Sequence, residues 1–408
     1  MKTLRMIYAL TLVLLACGCE EVTIIPEDVD TPDNQENVDE PNTNDSADED
    51  TSGGSDDDDT TQRPEPNTDI ERWAGEWAQD KASDVVGGSV DFYYELNTFD
   101  ARVEVVFNDD SASVVCSAES VVSHIDGAYV TLDLTKLSGV EVIVYGTTTN
   151  GGIKIYSDSK YKLFLNGVDI TSQRGPAINS QSKKRVFVDL AEGTTNRLKD
   201  CAVYAEDSYT MPGVYNEDRK GALFAEGNII MSGYGALVVE GEYKHAVVTD
   251  GCYYQRPGVT VAITKTAKNG IHAKGDSDDG TGIVIDGGVV VAELSSTAGK
   301  GLKCDGDIAI NGGVLNISTS GDATYDSEEN DTSAAAAIKS NGNTYICAGV
   351  LNLSSSGSGG KGISTDGNLE INGGEINIAT SGGQYRYSNS LTSSPKGIRA
   401  DGNITING

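Results

Sequence analysis

The sequence predicts an all-β protein built as a right-handed parallel β-helix, a solenoid with three short strands in each coil. Three observations favour this fold class: a segment that recurs about every 24 or 25 residues, runs of alternating apolar and polar residues within it, and glycine-rich turns between the runs. A repeat of this size cannot bury its apolar face alone, whereas stacked repeats share a continuous core. We therefore expect the coils to stack as successive rungs.

The first 19 residues are predicted to be a lipoprotein signal peptide. Lys2 and Arg5 form a basic head, and the apolar run at 6–16 has eleven residues, too short to cross a bilayer core of about 30 Å. The run ends in LLACGC at 14–19, which resembles the lipobox of bacterial lipoproteins. Cys17 is the predicted lipidation site, Cys19 is the alternative, and simple secretion is the competing interpretation. We expect export and a membrane anchor made by lipid alone, at a bacterial cell surface.

Residues 20–69 are predicted to be a disordered acidic tether. They carry 19 acidic side chains and one basic side chain among Pro, Asn, Ser and Thr, with almost nothing to bury. The tether accounts for more than half of the formal net charge of −32, which leaves −16 for the predicted β-helix domain at 70–408. This balance, with no cluster of Lys and Arg, argues against nucleic-acid binding.

The repeat is clearest in three copies: KGISTDG at 361–367, KGIRADG at 396–402 and KGLKCDG at 300–306. In the coil that begins at 361, the predicted strands are 362–365, 369–372 and 375–379. Alternation places six side chains of this coil on the inward side; they are Ile363, Thr365, Leu369, Ile371, Ile376 and Ile378. The last residues, at 403–408, match 368–373 in mid-coil, so we expect further coils after residue 408.

Stacking also predicts columns of like residues. Cys304 should lie in an inward column of small side chains with Ala225, Ala273, Thr365 and Ala400, which makes a reactive thiol improbable. Asn311, Asn372 and Asn407 should lie above one another and either form a hydrogen-bonded ladder or cap the turns that they precede. The five cysteines that follow the signal are odd in number and widely spaced, so they indicate neither a disulfide framework nor a zinc site.

Two acidic insertions are candidate calcium sites, because hard oxygen ligands on flexible loops suit calcium. The candidate ligands are Asp276, Asp278 and Asp279 in the first insertion and Asp326, Glu328, Glu329 and Asp331 in the second. The first only partly resembles an EF-hand loop, since its twelfth position is Gly287. Solvated acidic loops are the competing interpretation. Asp305, Asp366 and Asp401, which precede closing glycines, are either turn residues beside Lys361 and Lys396 or a calcium site at the edge of the coils.

Aromatic residues accompany arginine at two places predicted to lie outside strands. The candidate carbohydrate-binding residues are Tyr253, Tyr254 and Arg256 at the first and Tyr385, Arg386 and Tyr387 at the second. A tyrosine ring offers a flat apolar face to a sugar, and an arginine can bind a uronate carboxylate with two hydrogen bonds. The competing interpretation is loop packing over the coils.

Four segments resemble a known family. They are LNGVDITS at 165–172, GPAI at 175–178, VDLAEGTTNRLKD at 188–200 and KGAL at 220–223, and the similarity extends over roughly 90–408. They are similar to secreted β-helix proteins described as carbohydrate-binding domain-containing proteins. The resemblance implies a pectate-lyase-like right-handed β-helix that binds calcium and polysaccharides, including acidic ones, without established catalysis.

These expectations combine into one function: a monomeric cell-surface lipoprotein that binds polysaccharide, acidic and pectin-like, through a calcium-binding β-helix without catalysing a reaction. A domain of net charge −16 repels a polyuronate unless calcium bridges relieve the repulsion or the ligand is a neutral glycan. Two alternatives stay open. One is a calcium-dependent polysaccharide lyase with Arg256 or Arg386 as base, and the other is a surface adhesin or scaffold.

Overall fold

The computed structural model describes residues 92–118, 121–206, 209–214, 217–275 and 282–407. The predicted signal peptide, Cys17 and the tether lie outside the described residues, as do Asp276, Asp278 and Asp279. The described part contains 35 strands, numbered β1 to β35 in chain order, and one 3-10 helix at Tyr94–Leu96. It contains no helix with the length and apolar character needed to cross a membrane.

Equivalent strands of successive repeats stack in three columns. The first column is an eleven-stranded sheet, parallel except at its first pair. Its strands are β3 (Val122–Asp126), β4 (Ala128–Asp133), β6 (Gly151–Tyr156), β9 (Ile178–Ser180), β12 (Gly221–Ala225), β15 (His245–Thr249), β18 (Ile271–Ala273), β21 (Lys300–Cys304), β26 (Ala336–Ser340), β29 (Lys361–Thr365) and β34 (Lys396–Ala400).

The second and third columns belong to one twenty-stranded sheet. The second column contains β7 (Tyr161–Leu165), β10 (Val186–Leu190), β13 (Ile229–Gly233), β16 (Tyr253–Gln255), β19 (Gly282–Ile285), β22 (Asp307–Ile310), β27 (Thr344–Ile346), β30 (Leu369–Ile371) and β35 (Ile404–Ile406). The third column contains β8 (Asp169–Thr171), β11 (Thr195–Lys199), β14 (Ala236–Gly241), β17 (Thr260–Thr266), β20 (Val289–Leu294), β23 (Val314–Thr319), β28 (Val350–Ser355) and β31 (Glu375–Thr380).

The N-terminal end of the stack departs from this pattern. Strand β5 (Val140–Thr148) is long enough to pair with both β7 and β8, and β1 (Ala101–Asn108) pairs with β5 in parallel. Strand β2 (Ser111–Cys116) then pairs with β1 antiparallel, as β3 does with β4. Each column therefore continues as a parallel ladder from a start that contains antiparallel pairs.

The prediction of stacked three-strand repeats is confirmed at the level of an all-β, solenoid-like arrangement of parallel strands. In the coil from 361, β29, β30 and β31 agree with the predicted strands to within about one residue at each end. Ile363, Thr365 and Leu369 are completely buried. Their side chains join a core to which all three columns contribute.

The predicted column of small residues is also confirmed. Ala273 is paired with Cys304, Cys304 with Ser340, and Thr365 with Ala400 in successive strands of the first column. Cys304 is completely buried, and burial raises the pKa of its thiol well above the ordinary value. A buried thiol of this kind is inert.

Glycine at the second position of the KG pair has a steric reason. A Cβ on Gly301 would lie 2.3 Å from Cγ2 of Ile317, and a Cβ on Gly362 would lie 2.3 Å from Cγ2 of Ile378. Both isoleucines come from the third column, so the glycines let the first column approach it closely.

Two antiparallel hairpins interrupt the stack, each just before a strand of the first column. Hairpin 1 is formed by β24 (Thr324–Asp326) and β25 (Asp331–Ser333), and it precedes β26. Hairpin 2 is formed by β32 (Tyr385–Arg386) and β33 (Thr392–Ser393), and it precedes β34. Both therefore emerge at the same corner of the solenoid.

Candidate functional site

A large cleft lies over the outer face of the first column, at the corner where the hairpins emerge. Its volume is about 1260 Å³, above the range of about 300–1000 Å³ usual for small-molecule sites. Side chains of β18, β21, β26, β29 and β34 form its floor, and residues of both hairpins line it. Five strands spaced by about 4.8 Å extend over about 19 Å, so the cleft suits an extended ligand.

Basic side chains dominate the lining of the cleft. Eight lysines and arginines line the cleft, against six carboxylates; the bases are Lys244, Lys268, Lys300, Lys303, Lys339, Lys361, Lys396 and Arg399. Register explains the clustering, because Lys303 is paired with Lys339 and Lys361 with Lys396 on neighbouring strands. A protein that is strongly acidic overall thus has a locally basic surface.

One row of these bases is neutralised by the aspartates that end the strands. Lys303 lies 2.5 Å from Asp305, Lys339 lies 2.5 Å from Asp366, and Arg399 bridges Asp366 and Asp401 at 3.1 and 2.7 Å. Burial alone would raise the pKa of Asp305, but hydrogen bonds and charge from His272 and Lys303 outweigh it and hold that pKa well below its usual range.

These pairs correct a detail of the sequence prediction. The partners of Asp305, Asp366 and Asp401 are bases on the strands themselves, and not Lys361 and Lys396. Each aspartate follows its own strand by one residue. Asp305 and Asp401 are paired with the base two residues before them, whereas Asp366 is paired with bases of the two neighbouring coils. The arrangement is that of charged turn residues.

Lys300 and Lys361 have a different role, because each fastens a hairpin to the floor. The Lys300 ammonium donates to Ser333 Oγ at 2.8 Å, in hairpin 1. The Lys361 ammonium donates to Ser393 Oγ at 2.7 Å, to the Ser394 carbonyl at 2.8 Å and to the Gly359 carbonyl. Three acceptors match the three donors of a lysine.

Burial and neighbouring positive charge depress the pKa of both lysines. The pKa of Lys300 is lowered to about 7, mainly by burial and then by Lys303, Lys268 and Lys339. The pKa of Lys361 is lowered to about 8, by burial and then by Lys396 and Arg399. Both amines therefore lie near the boundary between charged and neutral forms at physiological pH.

Three cleft lysines are left without a partner. Lys244, Lys268 and Lys396 have no hydrogen bond from the ammonium and no carboxylate within 4 Å among the residues that the structure describes. Burial, followed by the charges of Lys268 and Lys220, lowers the pKa of Lys244. An anion in the cleft would find these three ammonium groups unpaired.

The carboxylates predicted to bind calcium in the second insertion lie on hairpin 1, but they do not converge. No three ligand atoms of Asp326, Glu328, Glu329 and Asp331 lie within 4.8 Å of one another. Asp326 instead accepts from the backbone N–H of Glu328 at 3.0 Å, and Asp331 accepts from the N–H of Thr332 at 2.6 Å. Calcium needs six to eight oxygen ligands, so the hairpin in this geometry does not form a calcium cage.

A convergent carboxylate group exists elsewhere, outside both acidic insertions. Asp218, Glu226 and Asp250 bring their oxygens within 4.8 Å of one another, which no other group of three does in the described ranges. Lys220 is paired with two of the three carboxylates, with its ammonium 2.6 Å from Asp218 and 2.7 Å from Asp250. A lysine already supplies the positive charge that a metal would bring.

The first predicted aromatic group is part of the packed interior. Tyr253 and Tyr254 belong to β16 and are completely buried, with Tyr253 donating to Gln255 Oε1 at 2.8 Å and Tyr254 packed edge-on against Phe92. Arg256 is paired with Glu95 at 2.8 Å and lies over the ring of Tyr93. The expected exposed platform is therefore not formed here, because Tyr253 lies in the main core of the coils, while Tyr254 and Arg256 pack against the segment that precedes β1.

The second predicted aromatic group lies on hairpin 2, where Arg386 and Tyr387 are exposed and Tyr385 is half-buried. The ring of Tyr387 stacks on Tyr325 of hairpin 1, with centroids 4.0 Å apart and planes only 4° from parallel. Tyr387 is 55% exposed, and Tyr325 lines the cleft. Arg386 is exposed and donates to Asn389 Oδ1 at 3.2 Å. The stack joins the two hairpins into one wall.

Sequence reasoning missed the cleft itself. A signal was present, since KG opens three of the clearest repeats and a basic residue recurs three positions later in two of them. In register, these positions become rows of positive charge along one face. The sequence analysis singled out residues near this face without joining them into one site; they are Tyr385, Arg386, Tyr387, the acidic group at 326–331, Asp305, Asp366, Asp401, Lys361 and Lys396.

A family model described as carbohydrate-binding domain-containing protein matches residues 126–254 and 257–359. The two stretches cover more than half of the chain and include β21, β26 and hairpin 1.

Two known proteins are similar to this chain. A carbohydrate-binding domain-containing protein of Acetivibrio thermocellus is 25% identical over 161 residues, which are 38% of this chain and 50% of the relative. The chain thus spans about half the length of that relative. The gadolinium derivative of a polysaccharide lyase-like protein from C. thermocellum is similar with a TM-score of 0.44 and 18% identity, over 73% of this chain and 100% of the other.

Proposed function

This chain belongs to the carbohydrate-binding domain-containing protein family, and from that membership we propose that its cleft binds an acidic polysaccharide without cleaving it. The observation that carries the proposal is the set of unpartnered lysines in the cleft, Lys244, Lys268 and Lys396. Lysine ammonium groups that line an open cleft attract carboxylates spaced along a chain. A neutral glycan would leave these charges without counterparts.

The lysines that line the cleft offset the repulsion expected from a domain of net charge −16. Screening limits that repulsion to about 8 Å at physiological ionic strength, so a uronate inside the cleft responds mainly to the nearby lysines. The carboxylates of hairpin 1 line the same cleft, on the wall that the two hairpins form. They favour a bound chain that directs its carboxylates to the floor and its hydroxyl groups to the hairpin.

The stacked rings of Tyr325 and Tyr387 supply an apolar surface beside this charge. Sugar rings have C–H faces that pack on tyrosine, while their hydroxyl groups need polar neighbours. The wall formed by the two hairpins offers both, because Tyr325 is flanked by Asp326 and donates its own hydroxyl to Asn330 at 2.8 Å. This combination supports a saccharide in preference to an acidic peptide.

Binding assays with oligogalacturonates and matched neutral oligosaccharides test the proposal. We expect binding of the acidic series only, weakened by salt, and a smaller salt dependence for the double variant Lys268→Met, Lys396→Met. Lys136→Met is the matched control, since Lys136 is exposed and outside the cleft. Equal affinity for neutral oligosaccharides, or unchanged binding by the double variant, would contradict the proposal.

Calcium dependence and surface anchoring are separate proposals. Calcium ions could bridge hairpin carboxylates to uronates, and a lipid on Cys17 would hold the protein at the membrane surface. Chelator treatment during the binding assay tests the first, and a shift of Cys17→Ser protein from membrane to soluble fractions tests the second. Binding that survives the chelator would remove calcium from the proposal.

A lyase is the second candidate, favoured by the depressed pKa of Lys300 within the cleft. A neutral lysine could accept the proton alpha to a uronate carboxylate while the glycosidic oxygen beta to it leaves, so that a carbon–carbon double bond forms. The absorbance of the unsaturated product on polygalacturonate tests this reaction. No absorbance change at pH 8 to 9, where Lys300 is neutral, would exclude Lys300 as a base.

A further inference from the structure

Tyr243 lies at the end of the cleft away from the hairpins, immediately before β15. The residue is 43% exposed and lines the cleft. Tyr204 stacks on it, with ring centroids 4.0 Å apart and planes inclined by 22°. Since Tyr204 covers one face of the ring, the exposed area belongs to the other face and the ring edge.

A buried carboxylate holds this tyrosine pair together. Asp200, at the end of β11, accepts from the Tyr204 hydroxyl at 2.5 Å through Oδ2. Its other oxygen accepts from the backbone N–H groups of Glu242 and Tyr243, at 2.5 and 3.4 Å. One residue thus fixes both the ring behind Tyr243 and the backbone that carries Tyr243.

We propose that Tyr243 is a stacking platform for a pyranose ring at this end of the cleft, and that Asp200 positions it through Tyr204. The proposal rests on the proposed function, because it adds a contact for the same polysaccharide. Hairpin 1 precedes β26, three strands along the first column from β15, which corresponds to about 14 Å. A bound chain would therefore have an aromatic contact near each end and lysines between them.

A ring that is already fixed gives higher affinity than a mobile ring, because its conformational entropy is lost before the ligand binds. Asp200 is suited to this task, since its two oxygens face two different sets of donors. In an Asp200→Asn variant, the amide nitrogen must replace one of these oxygens, and either the Tyr204 hydroxyl or the two backbone N–H groups lose their acceptor.

The state of Asp200 depends on pH. Burial raises its pKa to about 6, against the hydrogen bonds from Tyr204, Glu242 and Tyr243, which lower it. The charged groups around Asp200 are Glu242 and Arg219. The carboxylate of Glu242 lies 3.4 Å from the ammonium of Lys199 and 2.7 Å from that of Lys265, and the guanidinium of Arg219 lies over the Tyr204 ring. Cys201 is the adjacent thiol. Above about pH 6 the ionised carboxylate accepts all three hydrogen bonds, and below it a proton competes for one oxygen.

The first experiment measures oligogalacturonate affinity for wild type and Tyr243→Ala at several salt concentrations. We expect Tyr243→Ala to lower affinity about three- to tenfold at every salt concentration, because stacking does not release ions. Tyr234→Ala is the matched control, since Tyr234 is also 43% exposed but lies outside the cleft. Unchanged affinity of Tyr243→Ala, in a wild type that binds, would overturn the inference. Absence of binding by wild type would instead overturn the proposed function.

The second experiment tests positioning through the pH profile. The ratio of wild-type to Tyr243→Ala affinity is expected to be larger at pH 7 than at pH 5, since ionised Asp200 orders the platform. In an Asp200→Asn background the same ratio should be small and independent of pH. Tyr204→Phe keeps the ring, loses the hydroxyl and should behave similarly, even if Asp200→Asn fails to fold. A ratio that is the same at both pH values in wild type would refute the role of Asp200.

Discussion

At the scale of single residues, asparagines that follow several of the closing glycines link one coil to the next. The Asn343 side-chain oxygen accepts from the backbone N–H of Asn368 at 2.9 Å, and Asn368 accepts from the N–H of Asn403 at 2.8 Å. Asn228 does the same for the N–H of Cys252, also at 2.9 Å, in a buried setting. These residues satisfy turn N–H groups that the strands do not pair.

Asn228→Ala is expected to destabilise the protein by about 1–3 kcal/mol, because the buried N–H of Cys252 loses its acceptor. Asn368→Ala makes the same change at an exposed turn, where water can replace the lost oxygen, so its effect should be smaller. Denaturant unfolding of both variants measures the difference. Equal losses of unfolding free energy would contradict this account.

The depressed pKa of Lys300 predicts a pH dependence of stability. Its folded pKa of about 7 lies below the value of 10.5 for an unperturbed lysine, so the folded state disfavours the charged form. Between these values the unfolded chain binds a proton that the folded chain does not, and stability rises with pH. Wild type should therefore gain unfolding free energy from pH 7 to pH 10 relative to Lys300→Met. Parallel pH profiles of the two proteins would disprove the shift.

At the scale of elements, the hairpins are insertions that the ladder does not require. Their strands pair only with each other, and Lys300, Lys361 and the stack of Tyr325 on Tyr387 attach them to the floor and to one another. An insertion with such limited anchoring can change without loss of the core.

Replacement of residues 324–333 by a short Gly-Ser turn should leave the circular dichroism spectrum and cooperative unfolding nearly unchanged. The same replacement should weaken binding of acidic oligosaccharide by tenfold or more, because it removes one wall of the cleft and Tyr325. Titration calorimetry gives the affinity. Loss of folding would show that hairpin 1 belongs to the core, and unchanged affinity would show that the wall is not used.

The strands were more predictable than the site, for a physical reason. Strand positions follow from alternation and turn residues within one repeat, as at Ile363 and Leu369, and these signals are local in sequence. The cleft depends on which side chains meet across repeats and on what covers them. Tyr254 illustrates this point, because the segment at 92–99 that packs over it is more than 150 residues away in the chain. The role of Asp200 could not be predicted for the same reason, because its hydrogen-bond partners Tyr204 and Glu242 lie 4 and 42 residues away in the chain.

At the scale of the whole molecule, regular stacking predicts that one coil can be removed. Strand residue Ile229 is in register with Tyr253, and Gly227 and Gly251 close successive coils. Deletion of residues 228–251 therefore joins equivalent positions and should give a shorter solenoid that still unfolds cooperatively. Deletion of 228–239, half as long, should not fold, because every later strand would occupy the wrong column. Circular dichroism and thermal unfolding distinguish the two deletion variants. If both fold, or if neither folds, the coils are not independent repeating units.

The antiparallel pairs at the N-terminal end have a consequence for self-association. A parallel stack whose last rung exposes free backbone groups is a template onto which another molecule can add. Here β2 and β3 run against their neighbours, so an incoming parallel rung meets strands of opposite direction. Addition of another molecule as a further parallel rung is thereby disfavoured at this end of the ladder, and so is the growth of fibres from it.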